Sequence, residues 1–100
     1  MTKKTNDEIS FNRLVERVCA ACRLTVPEVL SPCRRMDLVK AREMVAHIAV
    51  VRMGYPIKAV AQLLGRTRSA VEHMLRQHYC EYVTDGEYKM VCDNIKLDYD

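Results

Sequence analysis

The stretch from Tyr55 to His78, YPIKAVAQLLGRTRSAVEHMLRQH, leaves the chain few ways to fold. Pro56 suits the first turn of a helix, where its missing N–H would be unpaired anyway. Ile57, Val60, Ala61 and Leu64 then recur at helical spacing on one face. Gly65 stands where that helix must stop, at a position that tolerates a left-handed backbone. Thr67 follows as an N-cap, its hydroxyl free to accept an amide of the next turn. Val71, Met74, Leu75 and His78 make the inner face of a second helix, and Arg68, Ser69, Glu72, His73 and Arg76 lie outside. An apolar helix, a glycine turn and a helix with an exposed basic N-terminus is the helix-turn-helix pattern, here over residues 55–78.

The rest of the chain reads as helices packed around that unit. Thr5-Asn6-Asp7-Glu8 forms a capping box for a first amphipathic helix carrying Ile9, Leu14, Val15, Val18, Cys19 and Cys22 inward. Thr25-Val26-Pro27-Glu28 repeats the box and opens a short helix through Leu30. Residues 31–36 break it as a basic loop. Residues 37–53 form the most apolar helix, with Asp37 at its positive end and His47 within its apolar surface. Gly54 ends it. The helix after Gly65 continues or frays beyond His78 to Thr84, and residues 85–98 form an acidic terminal helix with Tyr88, Val91, Ile95 and Leu97 inward. The expected fold is all-α, a compact bundle of five to six helices in a single domain, residues 1–100.

Composition narrows the function. Hydrophobic residues are 49%, charged residues 29% and glycines three, which describes a folded helical chain rather than a disordered one. No apolar run has the roughly 18 residues a membrane helix needs and no charged-then-apolar leader opens the chain, so the expectation is a soluble cytoplasmic protein with no membrane partner. Five cysteines, an odd number, then read as reduced thiols. The net charge of +3 conceals an asymmetry: residues 31–78 carry nine Lys/Arg against three Asp/Glu, and residues 79–100 carry two against six. A basic block coinciding with an exposed helix N-terminus is what phosphate neutralisation requires.

Catalytic chemistry finds little support. The glycines are isolated at 54, 65 and 86, so no phosphate loop exists, and no histidine sits by a serine in a nucleophile context. The expectation is no enzyme, no cofactor and no nucleotide. For metal, Cys19-Ala20-Ala21-Cys22 has the spacing of a zinc half-site that Cys33 and Cys80 would complete, but the same spacing places two small apolar thiols on the inner face of a helix. With no second C-x-x-C and the other candidates irregularly spaced, the expectation is no metal.

Double-stranded DNA is the partner with positive support. A recognition helix enters the major groove by its first turns, and here Arg68, Ser69, Glu72, His73 and Arg76 form one outer stripe. Arg68 matches guanine O6/N7, Glu72 can accept from cytosine N4, Ala70 can touch a thymine methyl, and Ser69 and His73 complete the candidate base contacts. Lys58, Arg66, Thr67 and Arg76 suit the backbone, which sets register without reading sequence.

Residues from about Val18 to His78 resemble the C-terminal DNA-binding domain of the bacterial chromosomal replication initiator DnaA, a Trp-repressor-like helix-turn-helix. The matching segments are Val29-Leu30-Ser31, Arg34-Arg35, Lys40-Ala41-Arg42, Ile57-Lys58-Ala59-Val60, Leu64-Gly65 and Arg66-Thr67-Arg68-Ser69-Ala70-Val71. The resemblance implies origin-type DNA binding in replication or transcription control. It also implies an arginine in the minor groove at Arg34, with Arg35, Lys40, Arg42 and Arg66 as further backbone contacts. The signature departs from the family at Thr67, Arg68 and Ala70, which implies a different DNA site. The ATP-binding module of the family has no counterpart in these residues.

A second class of reading is a protein-interaction module, with Tyr79, Tyr82, Tyr88 and Tyr99 exposed near the acidic C-terminal helix. A transcription regulator of another helix-turn-helix class, sigma-like, is a rival within DNA binding.

Overall fold

The computed structural model describes residues 6–97, with side chains from Glu8 onward. Among them the chain is all-α: α1 (Asn6–Cys22), α2 (Val26–Leu30), α3 (Met36–His47), α4 (Ile57–Leu64), α5 (Arg68–Thr84) and α6 (Gly86–Asn94). Thr5 lies outside the described residues, and so does the capping box expected from it.

Helix α1 buries Phe11, Leu14, Val15, Val18 and Cys19, one stripe at helical spacing. It closes through Arg23, which takes a left-handed φ of 59°, while the Leu24 amide donates to the Cys19 carbonyl at 2.9 Å. That is the glycine-type helix stop carried out by an arginine. Helix α2 is fixed by its expected capping box. The Glu28 amide donates to Thr25 Oγ1 at 3.3 Å, and the Thr25 amide donates to Glu28 Oε1 at 3.0 Å.

Helix α3 is the spine. Residues 41–46 are all buried, and α3 packs chiefly on α5 and α1. The helix expected over 37–53 changes winding at its end. Ile48–Arg52 form a π-helical turn, closed by the Met53 amide donating to Ile48 O at 3.0 Å and the Tyr55 amide donating to Ala49 O at 2.9 Å. The wider turn admits one extra residue, and Gly54 at φ 78° then reverses the chain.

Helix α4 starts one residue later than expected: Pro56 caps it from outside, its carbonyl accepting from the Val60 amide at 3.2 Å. Val60, Ala61 and Leu64 are its buried face. Gly65 (φ 67°) ends it with the Arg66 amide on Ala61 O at 2.9 Å. Thr67 caps α5 as expected, Oγ1 accepting from the Ala70 amide at 3.1 Å. Helix α5 runs on to Thr84, burying Val71 and His78 with Met74 and Leu75 partly covered.

Asp85 caps α6 through the Glu87 and Tyr88 amides. That helix stops at Asn94, short of the span 85–98, because Ile95 and Leu97 turn inward in extended chain and complete the core. Arg52 and Arg17 anchor this segment by donating to the Ile95 and Lys96 carbonyls at 3.1 and 2.8 Å. No helix of the described residues is long and apolar enough to cross a membrane.

Candidate nucleic-acid interface

The basic loop 31–35 is anchored from two sides. Arg42, on α3, is only 4% exposed. It donates from Nε to Val29 O at 2.7 Å and from Nη2 to Ser31 O at 2.7 Å and Glu28 O at 3.3 Å. Those are carbonyls that the end of a helix leaves without intrahelical partners. Arg66, in the turn before α5, donates to the same Ser31 oxygen at 2.6 Å and to Leu64 O at 3.1 Å. Ser31 Oγ donates to Glu28 O at 2.6 Å, tightening the bend.

Both arginines were expected at the DNA backbone, and the structure assigns them other work. Arg42 is withdrawn from the surface and holds loop carbonyls. Half-buried Arg66 ties the turn before α5 to the loop. Lys40, expected there too, is held by Asp85 Oδ2 at 3.1 Å and Glu81 Oε2 at 3.7 Å, joining α3 to the start of α6. The acidic residues near the C-terminus thus neutralise part of the basic block. The Asp85 amide partners, first that of Tyr88, and then Lys40 hold the Asp85 carboxyl below its usual range.

Arg35 is exposed but engaged, with Nε on Asp37 Oδ1 at 2.7 Å and Nη2 on Glu28 Oε2 at 2.9 Å. The Thr25 amide and hydroxyl, and then Arg35, depress the Glu28 carboxyl; Arg35 depresses Asp37. Among the described residues Arg34 of the loop has no protein partner, and Lys58 and Arg76 at the surface have none either.

On α5, Arg68, Ser69, His73 and Arg76 are exposed, and Glu72 is half-buried. Arg68 Nε contacts Glu72 Oε1 at 3.2 Å, an i,i+4 pair with Arg68 71% exposed. Ala70 is half-buried and faces the loop side, where it lines an open cavity with Arg34, Arg42 and Arg66. The first turn of α5 and the Arg34 loop are therefore two faces of one surface, joined through Ser31.

The cysteines do not converge. Cys19 is buried, Cys22 half-buried with Sγ 4.0 Å from Met44 Sδ, and Cys33 and Cys80 are exposed. No group of three metal-binding side chains lies together among the described residues. Burial raises the Cys19 and Cys22 thiols above their usual range.

Of the tyrosines expected at the surface, Tyr79 is 69% exposed, and Tyr82 is half-buried and donates to Asp93 Oδ1 at 2.6 Å. Tyr88 lies in the interior, as the periodicity of the terminal helix expects and against the exposed placement of the interaction reading. It is 3% exposed, because its hydroxyl has a buried partner in His78 Nδ1 at 2.7 Å. Tyr99 lies outside the described residues. His78 in turn stacks on His47, ring centroids 3.8 Å apart and planes 15° from parallel. Burial, then His47, pushes His78 down to about 4 and keeps it neutral at pH 7.

One residue escaped sequence reading. Glu43 is 4% exposed, and among the described residues its Oε1 has no hydrogen-bond partner. Burial, then Glu81, raises its carboxyl to about 7, against a smaller opposing pull from Lys40. The available signal was a glutamate inside the apolar run Ala41–Ala46. Comparison with family models, with curated proteins and with solved structures finds no match for the chain.

Proposed function

We propose that this chain is a double-stranded DNA-binding domain. Its α4–turn–α5 unit would act as a helix-turn-helix that presents the first turns of α5 to the major groove. The observation that carries this reading is the tie through Ser31: Arg42 and Arg66 hold the loop, and Arg34 of that loop lines one cavity with Ala70 and His73 of α5. A helix N-terminus gives a groove-reading element, and a fixed cation beside it gives register on the backbone or in the adjacent minor groove.

In this reading Arg68, Ser69, Glu72 and His73 face base edges, with Ala70 at their inner border. Arg34, Lys58, Thr67 and Arg76 meet phosphates, and Arg35 joins them only by leaving Glu28 and Asp37. Arg42 and Lys40 are supports rather than contacts. The resemblance to the initiator's DNA-binding domain favours a role in replication or transcription control, at a site altered by Thr67, Arg68 and Ala70.

Selection of bound sequences from a random duplex pool, followed by affinity across a salt series, tests the proposal. A specific site and a steeply negative slope of log K against log salt are expected. No duplex binding at low salt, or a flat slope, refutes it.

A second reading is favoured by one surface. Val51, Tyr79 and Val83 are each more than 60% exposed, and the first two border an open cavity of about 600 Å³ beside the His47–His78 stack. Clustered exposed apolar side chains suit a protein partner.

A further inference from the structure

An open cavity of about 620 Å³ lies between the basic loop, α3 and the start of α5. Arg34, Arg42 and Arg66 line it, and among the described residues none of the three has a carboxylate partner. The two inner arginines bond only to neutral carbonyls, and each repels the other's charge. Arg42, the buried one of the three, carries a charge with no ionic partner, where buried charge is ordinarily paired. The remaining wall includes Val39, Ala70 and Met74, and it also includes Glu43, whose Oε1 is buried without a partner. A guanidinium pair matches phosphate oxygens, apolar side chains match a planar ring, and an orphan carboxyl oxygen matches an N–H donor. The volume lies in the range of small-molecule sites.

We propose that this cavity binds a nucleoside monophosphate, with its phosphate on Arg34, Arg42 and Arg66, its base against Val39, Ala70 and Met74, and a base N–H on Glu43. A phosphate inside a duplex backbone is tethered on both sides and stays at the surface, where Arg34 is; Arg42 lies too deep for it. A monoester has one tether and can enter. The sequence expectation of no nucleotide rested on the absence of a phosphate loop. This site is assembled from four separate segments, which no contiguous motif reveals. It goes beyond the DNA-binding reading and does not depend on it.

The test is titration of the full chain, free of DNA, with GMP, AMP, CMP and UMP, followed by amide NMR shifts, beside ribose 5-phosphate and inorganic phosphate. At least one nucleotide should saturate with shifts centred on Val39, Gly65, Ala70 and Met74, and should bind about tenfold more tightly than ribose 5-phosphate. Val39→Phe, filling the cavity, should abolish binding, and Glu43→Met should bring the nucleotide down to the ribose 5-phosphate level, each with its melting transition retained. Absence of saturation by roughly 10 mM for every nucleotide overturns the proposal. So does equal affinity for ribose 5-phosphate, or affinity unchanged in both variants. Duplex binding, measured separately, decides the DNA reading whichever way the nucleotides fall.

Discussion

Arg42 and Arg66 donate to one acceptor, the carbonyl oxygen of Ser31, at 2.7 and 2.6 Å. One comes from the buried spine helix and the other from the turn that launches α5, so a single backbone atom sets the relation of loop to helix. Arg42→Met keeps the stem but strips the donors, so the Val29 carbonyl loses its arginine partner and the Ser31 carbonyl is left with Arg66 alone. Unpaired buried carbonyls cost about 1–3 kcal/mol each, and some of the loss is offset by relief of repulsion with Arg66. A net destabilisation of about 2 kcal/mol is expected in urea melts. No shift of the midpoint would show that the loop is held by something else.

Contacts and supports should separate in a salt series. Arg34→Ala should weaken duplex binding about tenfold and reduce the salt slope by about one, the signature of one lost phosphate contact. Lys40→Ala breaks the pairs to Asp85 and Glu81, and it should lower the melting temperature while leaving that slope alone. Equal slope changes in the two variants would put Lys40 back among the contacts.

Reading of bases should reside in the first turn of α5. Arg68→Ala is expected to relax preference at a single position of the selected site, by about 1–3 kcal/mol of discrimination. The change also frees Glu72 from its 3.2 Å pair. A uniform loss across all sequences would reassign Arg68 to the backbone.

Glu43 and His78 pull stability in opposite directions with pH. The Glu43 carboxyl is raised to about 7 from an ordinary 4.5. The folded chain therefore holds the proton longer than the unfolded one, and stability from this group is lost as pH rises from about 4.5 through 7. Groups near it are Glu81 and Lys40, and Tyr88 responds to its charge. His78 is depressed to about 4 from 6.5, so the unfolded state takes the proton first and stability falls as pH drops from 6.5 to 4. Glu43→Gln removes the first effect only. The variant should gain on the parent steadily between pH 4.5 and 7, by a total of the order of 2 kcal/mol. A pH-independent difference would place the proton elsewhere.

Arg23 occupies a left-handed conformation at φ 59°, which costs a side-chain-bearing residue about 1 kcal/mol relative to glycine. Arg23→Gly should stabilise the chain by about 0.5–1 kcal/mol, visible as a melting temperature a few degrees higher. A loss instead would mean that the arginine stem contributes packing that outweighs the strain.

Much of this architecture was legible because local chemistry and tertiary packing agree. Thr25 with Glu28, Gly65 and Thr67 each name a helix end that the backbone adopts, and the stripe on α1 names Leu14, Val15, Val18 and Cys19 of its buried face, with Phe11 buried where Ile9 was expected. Charge was harder to read, since a lysine or arginine looks alike in sequence whether it meets water, a carbonyl or a carboxylate. Lys40, Arg42 and Arg66 are grouped with Arg34 by the resemblance, and only three-dimensional neighbours separate them. Glu43 was missed for the same reason, as its burial depends on partners from other helices, whereas the periodicity of the terminal helix did turn Tyr88 inward. The C-terminal stretch after Asn94 shows periodicity overruled: two apolar residues reach the core as extended chain.

The π-helical turn at Ile48–Arg52 also fixes how tolerant the chain is to changes in length. An α-helix advances about 100° per residue, and the wide turn already absorbs one extra residue, so inserting another here would rotate everything downstream by about that angle. Tyr55, now packed with its ring 6.0 Å from Phe11, would swing off the core, and the α4–turn–α5 unit would leave α3. Substitutions in this stretch are a matter of packing. A single-codon insertion is a matter of topology, which makes five residues here a counted spacer rather than a loose join.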